Sequence, residues 1–123
     1  MKVLFVDDED DIRSIGRLSL TKVGGHEVTL ASNAMEALHL ARLERPDLVL
    51  LDVTMPGMDG LTALAQLKED PDLQKVPVIF MTAKVQKQEV ERYLREGACG
   101  VIHKPFDPMT LPEEIRRLLA TRQ

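Results

Sequence analysis

Five times along this chain a short run of β-forming apolar residues gives way to a stretch in which apolar residues return every three or four positions. No other feature narrows the fold as much. The runs cover residues 2–6, 27–30, 47–51, 76–81 and 99–103. Parallel strands need a crossover between them and a helix is the usual one, so this alternation predicts repeated βαβ units and a parallel sheet. Three of the runs are apolar almost throughout, as strands covered on both faces must be. With right-handed crossovers on both faces, the expected architecture is an α/β, doubly wound, five-stranded parallel sheet, most simply in the strand order 2-1-3-4-5.

The intervening stretches read as helices. Ala34, Ala37, Leu38 and Ala41 fall at i, i+3, i+4 and i+7, and Asn33 with Glu36 three residues later has the spacing of a capping box. Ile12, Ile15 and Leu18 mark the first helix, Leu61, Leu64 and Leu67 the third, and Val90, Leu94 and Gly97 the fourth. Ile115, Leu118 and Leu119 mark the last, where Thr110 and Glu113 repeat the capping spacing. Breakers stand between elements: Gly24-Gly25, Pro46, Pro71 and Gly97. No repeat, low-complexity tract or linker interrupts the pattern, so residues 1–123 are expected to form one domain, a length that buries roughly two-thirds of the unfolded surface.

A lone cysteine, Cys99, allows no intramolecular disulfide, and no Cys/His spacing suits zinc. His26, His39 and His103 show no catalytic spacing. The first apolar run is too short for a signal peptide or a membrane span. A reducing cytoplasm is the expected setting, with no membrane association. The formal net charge of -4 argues against direct contact with nucleic acid, which needs clustered positive charge.

The polar residues at the strand ends carry the chemistry. Asp7-Asp8 come directly after the first strand, Asp52 after the third, Thr82 after the fourth and Lys104-Pro105 after the fifth. In an open parallel sheet the carboxyl ends of the strands share one edge, and ligands bind there at the switch point. Asp7, Asp8 and Asp52 gathered at that edge repel one another and call for a cation. Hard oxygen ligands suit Mg²⁺, with Mn²⁺ able to substitute. Asp52 is the candidate nucleophile, since a carboxylate attacking phosphorus forms an acyl phosphate where a metal and a cation offset the phosphoryl charge. Lys104 supplies that cation and Thr82 a hydroxyl donor. In Asp52-Val53-Thr54-Met55-Pro56-Gly57-Met58-Asp59-Gly60, a turn at Pro56-Gly57 and an N-cap at Asp59 hold the Thr54 carbonyl near the metal. Met55 and Met58 are read as packing residues, and Asp10 and Asp11 as partners of a helix macrodipole.

Val6-Asp7-Asp8-Glu9, the segment from Asp52 to Gly60, Met81-Thr82-Ala83 and Lys104-Pro105-Phe106, in that order, resemble the receiver domain of two-component response regulators, whose fold is flavodoxin-like. The resemblance covers the whole chain. It implies that Asp52 takes a phosphoryl group from a phosphohistidine on a sensor histidine kinase or phosphotransfer protein, or from a small acyl phosphate. It also implies that Asp8 binds Mg²⁺ directly and Asp7 through water, with Asp52 and the Thr54 carbonyl as further ligands. Thr82 and Lys104 would bind the phosphoryl group, and the Lys104–Pro105 bond would be cis. The protein would then be a switch rather than a turnover enzyme, catalysing only its own phosphorylation and slow dephosphorylation and presenting a changed helix 4/strand 5/helix 5 surface to a downstream protein.

Thr54 and Lys84 occupy the positions where the resemblance suggests water access to the acyl phosphate is set. The family's aromatic three residues before the lysine is replaced by Val101, so the response is expected to pass through Thr82-Ala83-Lys84 and the face of the fourth helix near Tyr93. Two rival functions fit the residues less well. A haloacid-dehalogenase-like aspartyl phosphatase would want a second Asp two residues after the nucleophile, where this chain has Thr54. A non-phosphorylated scaffold of the same fold would usually have lost one of Asp7, Asp8, Asp52, Thr82 and Lys104, and none is lost.

Overall fold

The computed structural model describes residues 1–121. Its strands are β1 (Lys2–Val6), β2 (Glu27–Ala31), β3 (Leu48–Asp52), β4 (Val78–Thr82) and β5 (Gly100–His103). The helices are α1 (Asp10–Leu18), α2 (Ala34–Glu44), α3 (Gly60–Glu69), α4 (Lys87–Arg95) and α5 (Leu111–Thr121), and α1 runs on into a π-helical turn over Ser19–Val23. All strand pairings are parallel, in the order β2-β1-β3-β4-β5. The expected doubly wound sheet is therefore present. No described helix is long and apolar enough to cross a membrane.

Strand parity sorts the core into two layers, because successive side chains point to opposite faces. Leu4, Val6, Val49, Leu51 and Phe80 meet α2, α3 and α4 through Ala37, Leu38, Ala41, Leu64, Leu67 and Tyr93. On the other face Val3, Phe5, Leu50, Ile79, Met81 and Ile102 meet Leu20, Leu111 and Ile115 of the π-helical turn and α5. Every residue of β3 and β4 is buried, which is why those runs lack polar alternation.

Some boundaries move. β3 begins and ends one residue later than expected, which makes Asp52 its last residue. β4 starts at Val78, since Pro77 has no N–H to give the ladder, although its carbonyl accepts from the Val49 N–H at 3.0 Å. The α2 cap forms as expected, Asn33 Oδ1 accepting from the Glu36 N–H at 2.8 Å. Glu36 reaches back one residue further, to the Ser32 N–H. At α5 the Thr110/Glu113 spacing does not close a box: the Thr110 hydroxyl donates to the Asp107 carbonyl, and Glu113 is held by Arg116.

Two helices present a different face from the one their apolar residues suggested. In α1, Ile15 and Leu18 are exposed, while Gly16 is buried. In α4 the buried residue is Tyr93, and Leu94 is exposed.

Candidate functional site

The carboxyl edge of the sheet gathers polar groups from four segments. Asp7 leaves β1 fully buried, fixed by its N–H to the Ala31 carbonyl (3.1 Å) and by its own carbonyl, which accepts from Arg13 Nη1 at 2.7 Å. Asp52 and Thr82 close β3 and β4 and are buried too. Lys104 comes after β5 and reaches back to bridge the two buried acids, its Nζ donating to Asp7 Oδ2 at 2.8 Å and to Asp52 Oδ2 at 3.3 Å. Asp8 is exposed, yet it offers a carboxylate oxygen within 4.8 Å of oxygens from Asp7 and Asp52.

Local chain chemistry fixes this arrangement. The Thr54 N–H donates to Asp52 Oδ1 at 3.1 Å, folding the segment after β3 back over the strand end. Asp59 caps α3 by accepting from the Thr62 N–H at 2.9 Å. The next residue has to be glycine, because a Cβ on Gly60 would lie 2.8 Å from the Asp52 carbonyl oxygen and 2.9 Å from Val53 Cα. On β4's side, Thr82 Oγ1 accepts from the Lys84 N–H at 3.0 Å. Among the remaining candidates, Lys84 is exposed on the loop after β4, Val101 lies in register with Phe80, and the Lys104–Pro105 bond is cis.

The electrostatics are those of a site short of positive charge. Burial pushes the Asp52 carboxyl up to about 6, Asp7 adds to that, and Lys104 and the Thr54 N–H only partly offset it. For Lys104, burial pulls downward, but the hydrogen bond to Asp7 and the charges of Asp52 and Asp7 win and raise it. Three carboxylates facing one ammonium could hold a metal ion, and their all-oxygen chemistry suits a hard one.

Sequence patterning does not single out Arg13. Its place three residues after Asp10 is the one signal available: it pairs with Asp10 while anchoring the Asp7 carbonyl. The contact between Tyr93 and Phe80, at 5.2 Å and 70° between rings, puts an α4 side chain two strand residues from Thr82.

Known proteins resemble this chain in sequence and in fold. Response regulator Rre1 of Synechocystis sp. is 37% identical over 123 residues, 100% of this chain and 53% of that protein. Protein PilH of Pseudomonas aeruginosa is 36% identical over 119 residues, 97% of this chain and 98% of that one. The chain thus spans about half of Rre1 and nearly all of PilH. The solved structure of the chemotaxis response regulator CheY4 of Vibrio cholerae matches with a TM-score of 0.89 and 32% identity, over 95% of this chain and 97% of that one. Residues 3–116 match the response regulator receiver domain, so the chain belongs to the receiver-domain family of two-component response regulators.

Proposed function

We propose that this receiver is a phosphoacceptor switch in which Asp52 takes a phosphoryl group from a phosphohistidine of a cytoplasmic sensor kinase or phosphotransfer protein. One observation carries the reading: a single ammonium, Lys104, bridges two buried carboxylates beside the hydroxyl-bearing end of β4. In the transfer, an Asp52 carboxylate oxygen forms the O–P bond as the donor's N–P bond breaks, and the imidazole leaves with the electron pair. Lys104 and Thr82 stabilise charge on the phosphoryl oxygens, Lys104 by sliding from Asp52 toward the incoming group.

Asp7, Asp8, Asp52 and the Thr54 carbonyl are the residues that would hold Mg²⁺, which supplies charge neutralisation and in-line positioning. Both Asp7 oxygens already accept, one from the Glu9 N–H at 2.9 Å and one from Lys104. Asp8 is exposed and uncommitted among the described residues, which supports Asp8 as the direct ligand and Asp7 as one acting through water. The surface of α4, β5 and α5 would then change for a downstream protein.

The test is acetyl phosphate with and without Mg²⁺, read by intact mass and fragment mapping. One phosphoryl adduct on Asp52, dependent on Mg²⁺ and absent in Asp52→Asn, is the expected result. An adduct elsewhere, or none, sinks the reading.

A further inference from the structure

Arg13 lies early in α1, and its side chain is only 17% exposed, deep for a guanidinium. Both prongs of its fork are engaged: Nη1 donates to the Asp7 carbonyl at 2.7 Å, and Nη2 pairs with Asp10. Its backbone N–H donates to the Glu9 carbonyl at 3.0 Å. None of these partners is Asp8. Together they nonetheless decide where Asp8 stands.

The direction in which a side chain leaves the backbone follows from the two rigid peptide planes that flank its Cα. Before Asp8, that plane carries the Asp7 carbonyl, which Arg13 holds. After Asp8, it carries the Glu9 N–H, which donates to Asp7 Oδ1 at 2.9 Å. Asp7 itself is buried, with its N–H on the Ala31 carbonyl at 3.1 Å, so both planes are tied to the sheet. Asp8 is thus fixed from either side while its own carboxylate stays exposed, within 4.8 Å of oxygens from Asp7 and Asp52.

We propose that Arg13 is a positioning residue for the metal site, holding the Asp8 carboxylate where a divalent cation meets it beside Asp7 and Asp52. This deepens the Mg²⁺ reading above and rests on it. Arg13 acts on a cation in two opposite ways. Its positive charge repels one. Its bond to the Asp7 carbonyl orders Asp8 in advance, so that binding does not have to. Pairing with Asp10 offsets the charge and leaves the bond in place, so positioning wins. Fixing the backbone of one residue corresponds to about 5- to 30-fold in an equilibrium constant.

In the test, Mg²⁺ alone is titrated into the full chain while the amide resonances of residues 7–9 and 52–54 are followed. Arg13→Met keeps the apolar stem and removes both charge and fork. Positioning predicts a dissociation constant for Mg²⁺ raised by about 5- to 30-fold, whereas loss of charge alone predicts a lowered one. Backbone relaxation in chelator reads the cause. The Asp8 and Glu9 amides of Arg13→Met are expected to gain motion that the wild type lacks, while residues 52–54 keep theirs. An unchanged or tighter Mg²⁺ affinity overturns the proposal alone, as do Asp8 and Glu9 amides as rigid as in the wild type, or motion spread equally through 52–54. Should Arg13→Met fail to fold, Arg13→Lys decides: it keeps the charge and loses the fork, so weaker Mg²⁺ binding is expected and wild-type affinity overturns the proposal. If the wild type gives no response to Mg²⁺, the metal reading falls and this proposal with it.

Discussion

Asp52 shows how a single residue can oppose the fold that holds it. Burial first, and Asp7 second, raise its carboxyl from 3.8 to about 6. A carboxyl raised on folding stabilises the native state fully only below its unfolded value, and that contribution is lost as pH climbs through the folded one. Asp52 therefore costs nothing near pH 3.8, costs progressively more up to about 6, and imposes its full penalty at neutral pH. The size of the shift corresponds to about 3 kcal/mol. Asparagine has the same shape and no charge, so in chelator Asp52→Asn is expected to be more stable than wild type by about 1–3 kcal/mol at pH 7 and to match it near pH 4. Urea titrations at the two pH values check this. A variant equal to wild type at pH 7, or one whose advantage persists at pH 4, contradicts the assignment. On the phosphoacceptor reading, the burial that makes Asp52 awkward without a cation is the same burial that would keep water from a phosphoryl group placed there.

Among the elements, α1 shows how much the sequence could reveal. A helix turns about 100° per residue, so the series Ile12, Ile15, Leu18 drifts steadily around the axis instead of holding one stripe. Ile12 remains half-buried, Ile15 and Leu18 swing into solvent, and Gly16 and Ser19 close on the sheet. Gly16 is there because Phe5 is: a Cβ at that position would lie 2.4 Å from Phe5 Cζ. Phe5 is fully buried and packed against Phe106 at 6.1 Å, which leaves its ring little room to yield. Gly16→Ala would gain up to about 1 kcal/mol of helix propensity. Overpacking a rigid core costs about 1–3 kcal/mol, and that term is expected to win. The denaturation midpoint should fall, whereas a rise would show that α1 can lift off β1 freely. The same geometry separates what can be read from sequence from what cannot. Asp7, Asp52, Thr82 and Lys104 are legible as a group because each ends or directly succeeds an apolar run, and parallel strands align such ends. The rotation of α1 and α4 is not, since Gly16 and Tyr93 are buried by what faces them across the sheet, and no local period records that. Arg13 escapes for a related reason: its partner is a backbone carbonyl, which leaves no trace in residue type.

At the scale of the whole molecule, the site exists only when the sheet does. Lys104 and Asp7 are 97 residues apart in sequence, and Asp52 reaches both only once β1, β3 and β5 are aligned in one sheet. The unfolded chain keeps just the Asp7-Asp8 pair together, and adjacent carboxylates on a solvated chain hold a hard cation weakly. Mg²⁺ bound at the folded edge must therefore stabilise the entire domain, by about 2.7 kcal/mol when its free concentration is a hundredfold above the dissociation constant. It also removes the penalty carried by Asp52, so the two effects draw on one source and are not additive. Saturating Mg²⁺ is expected to raise the urea midpoint of the wild type with the slope of the transition unchanged, because the surface exposed on unfolding is the same. Asp8→Asn should lose most of that rise: it removes an exposed ligand while leaving the buried Lys104 bridge between Asp7 and Asp52 intact. A wild-type midpoint that does not move between chelator and saturating Mg²⁺ would show that these three acids, though within reach of one ion, do not bind it together.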